Sequence, residues 1–72
     1  MTTFSDRIIQ IKREKRLLQK NIAESIGLSV RAYQYYEKGA KEPTLSVLIA
    51  LADYFDVSLD YLVGRSDNPA RF

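Results

Sequence analysis

The sequence predicts an all-α fold of five short helices in one domain. Apolar residues recur at helical spacing through most of the 72 residues, and no stretch alternates apolar and polar residues as a half-buried strand would. Gly27, Pro43 and Gly64 interrupt the periodicity and divide it into short segments. A chain of this length has room for one core, which supports a single domain over residues 1–64 and a short tail over residues 65–72.

The first predicted helix covers about residues 5–16. Thr3 or Ser5 can cap its start with a hydroxyl oxygen. Its core stripe follows the i, i+4, i+7 spacing of a helix with one buried face and consists of Phe4, Ile8 and Ile11.

The second and third predicted helices, at about residues 19–26 and 30–38, are joined by a glycine turn. Ala23 is small enough to let two helices approach closely, and Gly27 can adopt the left-handed conformation that ends a helix. Ser29 can then cap the third helix. This arrangement is the outline of a helix-turn-helix, whose second helix fits the major groove of DNA.

The third helix has two distinct faces. Tyr33 and Tyr36, three residues apart, turn one apolar face towards the core. The side chains left pointing outward are Arg31, Gln34, Tyr35 and Lys38.

Two further helices complete the predicted domain. Pro43 breaks the helical pattern, and Thr44 caps a fourth helix at about residues 45–55. Ser58 caps a short fifth helix at about residues 59–63. The residues after position 64 show no periodicity and predict a loose tail.

The charge of the chain is divided unevenly along its length. Residues 1–41 carry a net charge of +5 and residues 42–72 a net charge of −3. A basic first half beside a helix-turn-helix indicates a face suited to a polyanion such as DNA.

Composition excludes several classes of function. The chain has no Cys and no His, so disulfides and the commonest metal ligands and general bases are absent from the sequence. No phosphate-binding loop or nucleophile elbow occurs, and we expect neither an enzyme nor a cofactor or metal site. The longest apolar stretch is far shorter than the about 20 residues that span a bilayer, and the N-terminus lacks a signal-peptide pattern. We therefore expect a cytoplasmic protein without a membrane partner.

The pattern resembles the Cro/C1-type helix-turn-helix of phage repressors and of the xenobiotic-response-element regulators of bacteria. The resemblance covers about residues 4–64 and implies a five-helix, lambda-repressor-like domain that binds operator DNA, usually as a homodimer. The matching residues, in order, are Gln19, Ile22, Ala23, Gly27, Ser29, Tyr33, residues 36–39 (YEKG), Pro43, residues 48–55 (LIALADYF) and residues 57–64 (VSLDYLVG).

The resemblance also implies which side chains meet DNA. Arg31 can contact guanine O6 and N7, Gln34 can pair with adenine N6 and N7, and an apolar side chain can touch a thymine methyl. The implied base contacts are Val30, Arg31, Gln34 and Tyr35. The expected phosphate contacts are Gln19, Lys20, Ser29, Lys38 and Lys41.

Two positions depart from the family pattern. In the family, the acidic residue at the position of Glu37 pairs with a basic residue of the first helix, normally Arg; here that position is Lys12, which implies a looser ion pair. Leu18 stands where the family has Thr or Ser, so the second helix loses a capping contribution of about 1 kcal/mol.

The fourth helix is apolar all round, which is typical of a helix buried on both sides. Its second side could be covered by a second copy of the chain, or by the fifth helix and tail of the same chain. We expect a homodimer that uses the fifth helix and part of the fourth, through Val47, Tyr54, Tyr61 and Leu62.

Together these features predict a sequence-specific regulator of transcription that binds double-stranded DNA. The predicted form is a repressor that reads a near-palindromic operator as a homodimer through the helix at residues 30–38. Activation stays open, because acidic surface residues such as Asp53 or Asp56 could touch polymerase. The alternative is an antitoxin-like or partner-binding module, in which the apolar face of helices four and five binds a different protein.

Overall fold

A computed structural model describes residues 2–71, and five α-helices lie within that range. They are α1 (Phe4–Glu14), α2 (Gln19–Ser25), α3 (Val30–Glu37), α4 (Leu45–Phe55) and α5 (Leu59–Leu62). These described residues contain no strand, so the predicted all-α class is confirmed, and each helix end lies within two residues of its predicted position. Within the same range, no helix is both long enough and apolar enough to cross a bilayer.

Side-chain hydroxyls cap the start of every helix except α2. Each accepts the backbone N–H three residues later, at 3.1–3.2 Å, and so satisfies one of the free donors of the first turn. The side chain of Leu18 has no hydrogen-bond acceptor. At α2 a side chain of the first turn instead accepts from the capping residue, because the Leu18 N–H donates to Oδ1 of Asn21 at 3.1 Å. The capping side chains are Thr3, Ser29, Thr44 and Ser58.

All five helices are followed by one residue with positive φ. The residue after it donates its N–H back into the last turn, as Leu28 does to the carbonyl of Ala23 at 3.0 Å, which is the Schellman pattern. Three of these positions are glycines, whereas the other two are Arg16 (φ 54°) and Asp56 (φ 58°). The left-handed Arg16 explains why α1 ends at Glu14 and does not continue to residue 16 as predicted.

The core lies between all five helices. α3 packs against α1 and α2, α4 packs against α2 and α5, and α1 packs against α5. Tyr33 and Tyr36 lie in the core as predicted, with 0% and 3% of their surface exposed. The largest fully buried side chains are Ile8, Ile22, Tyr33, Leu51, Phe55 and Leu62.

Arg7 is a buried charge that the predicted core stripe of α1 does not include. It is 3% exposed, and its guanidinium lies 3.8 Å from the centre of the Tyr61 ring, in a cation–π contact. Its Nη2 donates to the carbonyl of Ser66 and its Nη1 to Oε1 of Gln10, each at 3.1 Å. The spacing of Arg7, four residues before the core residue Ile11, indicates its burial, because it places Arg7 on the core-facing side of α1.

Residues 65–71 are held against the domain, contrary to the loose tail that the sequence predicted. The Ser58 N–H donates to the carbonyl of Pro69 at 3.1 Å. Arg71 donates to the carbonyl of Ala52 at 3.2 Å and pairs with Asp53 at 2.6 Å, at the end of α4. Residues 1 and 72, which belong to the predicted domain and tail, lie outside the described residues.

The surface predicted for dimer contacts is smaller than expected. Tyr61 is 8% exposed because Arg7 covers its ring, and Leu62 is fully buried in the core. In the folded chain these two side chains therefore offer little surface to a second subunit. Val47 is half-buried against the core, and Tyr54 remains 39% exposed.

Gly64→Ala tests the close approach between the start of the chain and the end of α5. Gly64 has φ +85°, and a Cβ there would overlap the Thr2 carbonyl. Gly27 has a similar φ of +71° but open space around the added carbon, so Gly27→Ala is the matched control. We expect Gly27→Ala to lower the free energy of unfolding by about 1–2 kcal/mol, and Gly64→Ala to lower it further. Urea unfolding measures both, and equal losses would contradict a close Thr2 contact.

Candidate nucleic-acid interface

The four predicted base-contact residues share the outer face of α3, which we call the reading face (Val30, Arg31, Gln34 and Tyr35). At 100° per residue these positions lie opposite Tyr33 and Tyr36, which anchor the helix in the core. Arg31 is exposed, Val30 and Tyr35 are 37% and 40% exposed, and Gln34 is half-buried.

Basic and polar side chains surround the reading face. Lys20, Lys38 and Lys41 are exposed at the start of α2 and after α3, where a phosphate backbone could meet them. Ser29 is also exposed, and its oxygen accepts the Ala32 N–H at 3.1 Å, which leaves the hydroxyl proton free to donate. Gln19, the remaining predicted phosphate contact, is half-buried and has partners inside the chain.

An ion pair joins α1 to the end of α3. Lys12 Nζ lies 2.9 Å from Oε1 of Glu37, and the two side chains are 20% and 8% exposed. A charge this buried requires partners, because desolvation of an unpaired carboxylate is costly. The pair expected from the family pattern is therefore present, with lysine as its basic member.

Two glutamine side chains extend this ion pair across the helix-turn-helix. Gln19 Nε2 donates to the same Oε1 of Glu37 at 3.0 Å, and Gln34 Nε2 donates to Oε1 of Gln19 at 2.9 Å. We call this series of hydrogen bonds the Glu37 relay (Lys12, Glu37, Gln19 and Gln34). The sequence pattern predicts a phosphate contact for Gln19 and a base contact for Gln34 but not the bond between them, because no local pattern links residues 15 positions apart.

The relay keeps Glu37 ionised. Burial alone would raise the pKa of Glu37, but hydrogen bonds from Lys12 and Gln19, together with the nearby Tyr33 hydroxyl, bring its pKa below the ordinary value. The pKa of Tyr33 is raised, first by burial and then by the neighbouring carboxylate. Tyr33 therefore stays neutral and Glu37 charged at neutral pH.

The chain matches a family of known proteins over most of its length. A sequence model of the family described as helix-turn-helix matches residues 8–62, which include α2, the turn and α3.

Curated relatives are bacterial regulators. The uncharacterized HTH-type transcriptional regulator YqaE of Bacillus subtilis is 38% identical over 96% of this chain and 60% of its own length. The cryptic phage CTXphi transcriptional repressor RstR of Vibrio cholerae is 33% identical over 86% of this chain and 55% of its own length. The chain thus spans little more than half the length of these relatives.

Two solved structures share the fold. A transcriptional regulator from Listeria innocua aligns with a TM-score of 0.82 at 37% identity, over 86% of this chain and 58% of that one. The P22 c2 repressor, in a complex with a synthetic operator, aligns with a TM-score of 0.83 at 24% identity, over 92% of this chain and all of that one. At that lower identity, the second likeness shows the fold alone.

Glu37→Gln tests the charge at the centre of the relay. Because the folded-state pKa of Glu37 is below its ordinary value of 4.5, its contribution to stability is present above that pH and disappears as the pH falls through the lowered pKa. We expect the variant to lose about 1–3 kcal/mol of unfolding free energy at pH 7. We also expect it to lose less stability than the wild type between pH 5 and pH 3. Urea unfolding across this range measures both effects.

Glu24→Gln is the matched control, because Glu24 is an exposed carboxylate on α2. We expect it to change stability by less than about 0.5 kcal/mol at any pH in the series. The same acid dependence in Glu37→Gln and the wild type would show that the Glu37 charge does not stabilise the fold.

Proposed function

The chain belongs to the Cro/C1-type helix-turn-helix family of transcriptional regulators, and on that premise we propose that it is a repressor that reads a near-palindromic operator as a homodimer. The observation that carries the proposal is the reading face of α3, which is held outward by two buried tyrosines and flanked by exposed lysines. Exposed side chains on a rigid helix are what a major groove requires of a protein that reads base edges.

Arg31 is the principal specificity residue in this proposal. Its guanidinium is exposed near the start of α3 and has the fork geometry that matches O6 and N7 of guanine. Val30 and Tyr35 supply apolar surface for thymine methyl groups, and Gln34 contacts an adjacent base.

Phosphate contacts supply affinity without sequence information. We assign this role to Lys20, Ser29, Lys38 and Lys41, which surround the reading face, and to the remaining amide hydrogen of Gln19. Repression then follows from occupancy, because a protein bound over a promoter blocks polymerase. The protein would act in the bacterial cytoplasm, where the chromosome is accessible.

Two copies are proposed because one α3 helix covers only half of a symmetric site. A twofold dimer would place two such helices about 34 Å apart, one turn of DNA, and so select two half-sites in inverted orientation. Exposed apolar side chains remain on α4 and α5, and we assign the contact to three of them: Ile49, Tyr54 and Leu59.

Selection of binding sites from random duplex DNA, at about 150 mM salt to suppress purely electrostatic binding, tests the proposed function. We expect a twofold symmetric motif with half-site centres about 10 base pairs apart. Arg31→Ala should lose the preference for one guanine in each half-site, at a cost of about 1–3 kcal/mol in binding free energy.

Lys41→Ala is the control, because Lys41 is also exposed but is assigned to phosphate. It should weaken binding evenly across sequences and reduce the salt dependence by about one charge per subunit. Failure of the wild type to enrich any motif would refute sequence-specific recognition.

Tyr54→Glu tests the homodimer. A charge placed on this 39% exposed side chain of α4 should prevent burial against a second copy. We expect sedimentation equilibrium to show a dimer for the wild type at high micromolar concentration and a monomer for the variant, with Glu42→Gln as a control that stays dimeric. A monomeric wild type would contradict a dimer in the absence of DNA and would favour the partner-binding alternative.

A further inference from the structure

The two hydrogen bonds that link the glutamines to Glu37 can run in only one direction, with Gln34 donating to Gln19 and Gln19 donating to Glu37. A carboxylate accepts hydrogen bonds but cannot donate them, and Glu37 is held in that form by its donors. The atom of Gln19 that lies 3.0 Å from the carboxylate must therefore be its amide nitrogen. The carbonyl oxygen of Gln19 is then turned the other way, towards α3.

The same argument determines the orientation of Gln34. The Gln34 atom that lies 2.9 Å from the carbonyl oxygen of Gln19 must be a donor, so it is Nε2. Turning this amide over would bring two acceptor oxygens to that distance. In the part of the chain that the structure describes, Oε1 of Gln34 accepts no hydrogen bond and is not buried, so it is available on the reading face together with one N–H.

We propose that Glu37, acting through Gln19, fixes the amide of Gln34 with its oxygen outward, and that the chain thereby selects a base with an exocyclic amino group at the position Gln34 meets. Gln34 is the specificity residue in this inference, and Glu37 and Gln19 are positioning residues. The inference rests on the proposed function, since it concerns which base that function reads.

Base chemistry gives the order of preference. In the major groove, adenine presents the N6 amino donor and the N7 acceptor, which match the free oxygen and the remaining N–H of Gln34. Cytosine presents an amino donor alone and matches the oxygen. Guanine and thymine present keto oxygens at the corresponding positions, which would face the oxygen of Gln34 and repel it.

Lys12 provides a control for this inference. It donates to the same carboxylate oxygen as Gln19, and its removal leaves Gln19 as a donor to that oxygen. Lys12→Met removes the ion pair, and its binding is measured at about pH 8, where the carboxyl group of Glu37 is kept ionised against the effect of burial and the direction of the relay persists. Lys12→Met with Glu37→Met removes the acceptor as well, and Gln19 is then free to turn either way.

The experiment measures binding of the wild type and variants to the selected operator and to its base substitutions. Gln34→Met identifies the base pair concerned as the one whose preference disappears. At this position we expect the wild type and Lys12→Met to favour adenine over guanine by about 5- to 150-fold. The ratio should fall below about threefold in the double variant, while the guanine preference attributed to Arg31 is retained.

A role in folding alone would not produce that result, because it would weaken both preferences or neither. Gln19→Met provides a second variant should the double variant fail to fold; it removes the middle of the relay and should lower the same ratio without changing the Arg31 preference. Urea unfolding reports the folded fraction of each variant.

Three results would overturn the inference. An unchanged ratio in the double variant, or in Gln19→Met, would show that the relay does not orient Gln34, and the proposed function would stand. A preference for guanine or thymine at the Gln34 position would show that the oxygen does not point outward, and the proposed function would again stand. If the wild type enriches no motif at all, the proposed function itself fails and the inference fails with it.

Discussion

The carboxylate of Glu37 joins three of the five helices through its hydrogen bonds. Only 8% of its side chain is exposed, so its charge must be met by donors from the protein itself. Those donors come from two other helices: Lys12 of α1 and Gln19 of α2. One ionised group therefore joins three helices, on the side of α3 that also carries the buried Tyr33.

Much of the fold could be predicted because its determinants are local. Apolar spacing located the helices, and hydroxyl residues marked the starts of four of them. The end of α1 shows the limit of this approach: Arg16 takes the left-handed conformation that glycine marks at other helix ends, and its residue type does not indicate it. The buried position of Arg7 and the docked tail also depend on contacts between distant parts of the chain, and no periodicity reveals such contacts.

For the candidate site, the sequence located the residues but not their connections. The helical positions of Val30, Arg31 and Tyr35 follow from the spacing of α3 alone, and the structure places all three on its outer face. Gln19 and Gln34 are different, because each is polar and lies on a partly exposed face. A hydrogen bond between such residues depends on how α2 and α3 pack against each other, which is a property of the folded core.

The contacts of Arg7 have a consequence for how the protein is made. Its guanidinium stacks on Tyr61 and donates to Ser66, 59 residues later in the chain. At ribosomal rates of about 5–20 residues per second, the arginine waits about 3 to 12 seconds for that partner to be synthesised. The helix-turn-helix leaves the ribosome before α5, so the nascent chain carries a complete reading helix on an unfinished core. Competence to bind would thus arrive only after α5 and residues 65–71 have been synthesised.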